Sequence, residues 1–170
     1  MARSTLVGLV FEAWNDLDRG LAGVDAPAAT RQVDGGSSFA WTLAHVSNQV
    51  DTWLNVRFFG QVPHALLSQG RWRVGGTGAA EDWEVIQQAA TDVRATARRA
   101  LGQLRDSDLD RAVPYVGTMA ALQGRMVTLH YALARVTAHH YFHLGEIAAV
   151  RSRRLGESVG DYPGPLTECA

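Results

Sequence analysis

Apolar residues recur at steps of three and four along four separate stretches of this chain, each long enough for a helix of several turns. No stretch alternates apolar with polar residues convincingly enough for a half-buried strand. Residues 4–19 place Leu6, Leu9, Val10, Ala13, Trp14 and Leu17 on one stripe, and Gly20 and Gly23 stop it. Phe39 to about Phe59 has a broad apolar face, preceded by two cap candidates, Ser37 and Ser38. Residues 80–104 carry Trp83, Ile86, Ala90, Val93, Ala97, Ala100, Leu101 and Leu104 as a core stripe. The fourth stretch opens near Gly124 and runs to about Arg154, where Gly156 ends it. The fold class is therefore all-α.

Long connections separate the helices. Residues 21–37 are rich in Ala, Pro, Asp and Gly, and a second connection spans 60–79 between Gly60, Pro63 and the Gly75, Gly76, Gly78 group. Within the second, Leu66, Leu67 and Trp72 indicate partial packing around a short helix. Asp106, Asp108 and Asp110 make a polar turn, residues 111–118 with Pro114 and Gly117 read as extended or irregular, and residues 156–170 form an irregular tail. A bundle with connections this long need not run simply up and down.

The chain has 170 residues, 46% of them apolar, enough for a single domain (1–170) with its own core. Sixteen cationic residues stand against 17 acidic ones, a net charge of −1, which argues against a dedicated nucleic-acid binder. All sixteen are Arg, which reads as the codon bias of a GC-rich genome. No apolar run resembles a signal peptide or a membrane span, so a cytoplasmic protein without a membrane partner is expected. One cysteine, Cys169, excludes an intrachain disulfide framework and any Cys-rich zinc site. A bound metal would have to be held by His and carboxylates.

Six histidines supply the candidates. His139 and His143 are four apart on the fourth helix, so they stand one above the other on one face, as two imidazoles sharing a metal require. Glu146 lies close to that face. His140 falls to one side and His130 nearly opposite. Two ligands are too few, because catalytic zinc usually takes three protein ligands and water. His45 stands at a core-facing level of the second helix, with Trp41, Gln49 and Thr52 on the same side, and is the best third. His64 lies in a Gly/Pro-bounded connection and is a weaker candidate. A lone core-facing His is more often a hydrogen-bonded structural residue, so spacing alone leaves both readings open. Similarly, Trp14, Trp41, Trp53 and Trp83 fit core packing, and Arg151, Arg153 and Arg154 fit the favourable place for cations at a helix C-terminus.

Taken together, these residues resemble the DinB-like family of bacterial proteins. The resemblance rests on Trp41, Leu43-Ala44-His45-Val46 and Trp53 in the second helix, and on His139, His143, Gly145, Glu146 and Ile147 in the last. It implies a four-helix bundle of up-down-down-up topology with the 60–79 connection as crossover. It implies a divalent metal, nickel or zinc, or else iron or manganese, held by His45, His139 and His143. It also implies a homodimer. Related proteins include S-transferases and isomerases that use bacillithiol, mycothiol or glutathione. Glu146 departs from the pattern, where Gln is usual. His139 departs from the mycothiol-dependent maleylpyruvate isomerase branch, where Glu is expected, and so favours the thiol-transferase side.

The implied function is a metal-dependent S-transferase acting on a small-molecule electrophile. A three-imidazole metal keeps its charge and lowers the pKa of a bound thiol or water. Cys169 sits on the tail, so a low-molecular-weight thiol would be the nucleophile. Glu146 is the candidate catalytic acid–base or orienting group. Arg135, one turn before His139, could contact an anionic substrate or make a structural ion pair. Metal-assisted hydrolysis and a non-enzymatic metal-binding stress protein are the alternatives.

Overall fold

The computed structural model describes residues 4–169. Five α-helices dominate it: α1 (Thr5–Leu21), α2 (Ala26–Thr30), α3 (Phe39–Val50), α4 (Trp83–Leu101) and α5 (Leu129–Arg154). The four long ones are those the periodicity predicts. α2 lies inside the expected 21–37 connection. It starts where Asp25 accepts a hydrogen bond from the Ala28 N–H and Pro27 occupies the first turn, positions both residues favour.

The four long helices pack in a circuit. α1 lies on α5, α5 on α3 and α3 on α4. The return from α4 to α1 is made by long side chains: Arg94 reaches Asp18 at 2.6 Å, and the Arg98 guanidinium lies 4.1 Å from the Phe11 ring centroid. The core is lined by Val7, Val10, Phe11, Trp14 and Leu17 of α1, Trp83, Ile86, Val93 and Ala97 of α4, and Leu129, Leu133 and Val136 of α5, all buried. On α1 the buried stripe is centred on Val7 and Val10, and Leu6 and Leu9 lie at its half-buried margin.

Several boundaries differ from expectation for identifiable reasons. α5 begins at Leu129 and not near Gly124, because Met126–Thr128 pairs with Ala112–Pro114 as a short antiparallel hairpin (β2 and β1). Three-residue strands are too short to show a two-residue period. The Thr128 hydroxyl then caps α5 by accepting from the Tyr131 N–H at 3.1 Å. Ser38, and not Ser37, caps α3, accepting from the Trp41 N–H. α3 continues past Val50 in π-helical form over Asp51–Val56, so one rod carries the chain nearly to the expected Phe59.

The tail beyond Gly156 is irregular but docked, apart from a single 3-10 turn at Thr167–Cys169. Two carboxylates of α1, Glu12 and Asp16, are buried beneath it. Asp16 accepts from the Gly164 N–H at 3.0 Å and from the Tyr141 hydroxyl at 3.1 Å, and Glu12 accepts from the Glu168 N–H. Gly8 permits the approach: a Cβ there would meet the Glu168 carbonyl oxygen at 2.5 Å. No helix among the described residues is long and apolar enough to cross a membrane.

Asp16→Ala strands the Gly164 donor and the Tyr141 hydroxyl together. The expected loss is about 1–3 kcal/mol, a fall in Tm of about 3–10 °C. Protease cleavage should also appear between Arg154 and the C-terminus. A tail as resistant to protease as the wild type's would show that Asp16 does not anchor it.

Candidate metal centre

Three histidines converge where α3 and α5 face each other. One ring nitrogen from each of His45, His139 and His143 lies within 4.8 Å of the others. Ring centroids are 4.6–4.9 Å apart, and the Nε2 atoms of His45 and His139 stand 3.3 Å apart. His45 and His143 are buried and His139 is half-buried. The arrangement follows from helix geometry: His139 and His143 come from successive turns of α5, and α3 presents His45 between them.

Outer hydrogen bonds fix how two of the rings point. His45 Nδ1 lies 2.6 Å from the Trp72 carbonyl oxygen. A carbonyl can only accept, so Nδ1 carries the hydrogen and Nε2 keeps its lone pair. His143 Nδ1 lies 2.7 Å from Glu146 Oε2 and donates to that carboxylate. Metal-binding imidazoles are commonly held in this way, with the outer nitrogen donating to a carbonyl or carboxylate. His139 lacks that bond, as its buried Nδ1 has no partner.

Burial lowers the His45 pKa, the Trp72 carbonyl opposes this and the neighbouring His143 adds to it. Burial, then His143, His45 and Arg135, push His139 down to about 3. Both rings are thus held in the neutral form that a metal ligand needs. Trp41 stacks on His45 with centroids 4.8 Å apart and planes 8° from parallel. The donor set therefore fits a divalent cation: three converging imidazoles, two of them held by outer hydrogen bonds and two of them with lowered pKa.

The other histidines lie apart. His64 makes a local turn, its N–H donating to Asp51 and its Nδ1 accepting from the Leu67 N–H. His130 is exposed. His140 is fully buried, donates from Nδ1 to the Val136 carbonyl one turn back, and is pushed down to about 3, chiefly by burial. Glu146 is half exposed, and its carboxylate sits on the outer nitrogen of His143, away from the three-ring centre.

The sequence reading missed the connection's part in this site. Trp41, His45 and Asn48 form one stripe of α3, and each donates to a backbone carbonyl of the 60–79 connection: Arg71 at 2.8 Å, Trp72 at 2.6 Å and Leu67 at 2.7 Å. The available signal was the i, i+4, i+7 spacing of three side-chain donors on a buried face.

Comparisons with known proteins identify the family and the fold. The sequence profile of the DinB superfamily matches residues 11–147, a span that includes all three histidines. No curated protein matches the sequence. A conserved protein from Enterococcus faecalis, known from its crystal structure, is similar in fold, with a TM-score of 0.68 at 15% identity, over 92% of this chain and 99% of that one.

The buried rings make the metal-free protein acid-sensitive. His139 and His140 bind protons in the unfolded chain below about pH 6.5, but in the folded chain only near 3. The unfolded state therefore takes up more protons within that window, and stability falls as the pH falls through it. Urea unfolding across the window should show this slope, and His139→Gln should reduce it. An unchanged slope in that variant would contradict the assignment of a buried neutral ring.

Proposed function

The chain belongs to the DinB superfamily, and from that premise we propose that it is a metal-dependent S-transferase, with His45, His139 and His143 as ligands of a divalent ion. The observation that carries the reading is the convergence of one ring nitrogen from each of the three histidines, with His45 and His143 each held at Nδ1 by an outer acceptor. A divalent ion held there, nickel or zinc before iron or manganese, would supply the charge that lowers the pKa of a bound thiol into the neutral range.

The protein's own residues have distinct tasks. The Trp72 carbonyl and Trp41 hold the His45 ring in place from two sides. Glu146 holds His143 and, being half exposed, can exchange a proton with solvent at its carboxylate. Cys169 lies on the tail against the Thr5 carbonyl, so the nucleophile is an imported thiol, bacillithiol or mycothiol, and the electrophile is a small molecule. The circuit of helix contacts and the long connection between α3 and α4 support the up-down-down-up bundle of the family. A cytoplasmic homodimer of bacterial origin completes the proposal.

One equivalent of divalent metal should co-purify with untagged protein, and His45→Ala or His139→Ala should remove it. Chelation should lower the Tm, since an ion bound only to the folded state stabilises it. Turnover of a chlorodinitrobenzene-type electrophile should require both the ion and added thiol. Ester or amide turnover without thiol would instead indicate metal-assisted hydrolysis. Less than about a tenth of an equivalent of metal, unchanged in the histidine variants, would sink both enzyme readings.

Glu146 is open to a separate check. Glu146→Ala leaves the His143 outer nitrogen unheld and should weaken metal affinity about 10–100-fold. Glu146→Gln keeps an acceptor oxygen and should retain most of the affinity. Equal losses in the two variants would show that the charge, and not the hydrogen bond, matters.

A further inference from the structure

Beside the three imidazoles lies a cavity of about 410 Å³ whose charged lining is wholly cationic: Arg57, Arg73 and Arg135, with Asn48, Gln49 and Thr52 between them. It adjoins the histidines by chain geometry. Arg135 stands one turn before His139 on α5, and Gln49 one turn after His45 on α3. Arg73 follows Trp72, whose carbonyl holds His45. One helical turn is about 5.4 Å, so the cavity lies within reach of a small molecule placed at the three rings.

The arginines here differ from six others among the described residues. Arg19, Arg71, Arg94, Arg98, Arg151 and Arg154 each lie within ion-pair distance of a carboxylate. Arg57, Arg73 and Arg135 have no such partner among the described residues, and no carboxylate lines the cavity. Arg57 and Arg135 also share one aromatic ring: their guanidinium carbons lie 3.9 and 5.1 Å from the Trp53 centroid. Burial lowers the Arg57 pKa, Tyr115 opposes this, and the charge of Arg135 adds to it. Arg57 Nη1 and Arg135 Nε are sheltered and lack hydrogen-bond partners. Two cations held together on one ring, without an anion, repel each other and leave donors unused. A carboxylate or phosphate between them would relieve both penalties, since guanidinium forks match such groups. Val74 and Val116, 89% and 80% exposed, also line the cavity and offer apolar contact to the rest of a ligand.

We propose that this cavity binds the carboxylate- or phosphate-bearing arm of an organic substrate, with Arg57 and Arg135 gripping the anion and Arg73 closing over it. The placement of that arm beside a reactive centre rests on the metal-site reading; the anion binding itself does not.

The test uses metal-free, chelator-treated full-length protein, with succinate and inorganic phosphate as probes and succinamide as the neutral control. Succinate or phosphate should raise the Tm in a saturable way, and calorimetry should show which of the two binds more tightly. Arg135→Gln and Arg57→Gln should each weaken that binding about tenfold or more, the value of one charged hydrogen bond. Arg57 packs on Trp53, so a second variant separates binding from folding: Thr52→Asp, at an exposed position on the cavity wall, places a repelling charge there and should abolish binding. His45→Ala should lose metal but keep succinate or phosphate, which separates this proposal from the metal reading. An equal shift with succinamide, no shift with either anion at millimolar concentration, or wild-type affinity in Thr52→Asp would each overturn it.

Discussion

The hydrogen bond from His45 Nδ1 to the Trp72 carbonyl is the contact on which the site depends. It fixes the tautomer of the buried ring and aims its Nε2 at α5. It also satisfies a backbone carbonyl in a connection that has little regular structure of its own. The connection and the ring thus stabilise each other. Trp41 and Asn48 repeat the arrangement one turn to either side, so the connection is held along a stripe of α3 by side-chain donors. Buried polar groups of this kind are costly unless paired, and here the pairing serves packing and site geometry at once.

The two facing helices divide the chemistry by level. At one level of α3 and α5 the groups are imidazoles, and burial disfavours the charged forms of His45 and His139. Arg135 stands one turn away on α5, and Arg57 meets it over Trp53 from about three turns further along the other rod. A cation suits the first level and an anion the second. The proposed metal site and the proposed anion site thus lie along the same pair of helices.

How much of this was legible in the sequence differs from element to element. The helices could be read because their stripes repeat every three or four residues for many turns. His139 and His143 could be paired because helical spacing alone puts them on one face. His45 joined them only as a core-facing candidate and through the family resemblance, since no local rule states which residue on α3 meets α5. The hairpin could not be read, because three residues are too few to show a strand's period. The Trp72 carbonyl could not be read either, because a backbone acceptor carries no residue signature. Arg57 went unremarked because its partner Arg135 lies on a different helix, and the sharing of Trp53 exists only in the fold.

The π-helical segment at Asp51–Val56 has a further consequence. The Phe59 N–H bonds to the Leu54 carbonyl five residues back, so this part of the rod holds more chain per turn than the α-helical part that bears His45. Removing one residue there would restore an ordinary turn and leave the segments on either side in nearly the same phase. The segment is thus a joint at which this helix can lose a residue while the side chains on either side of it keep their relative places.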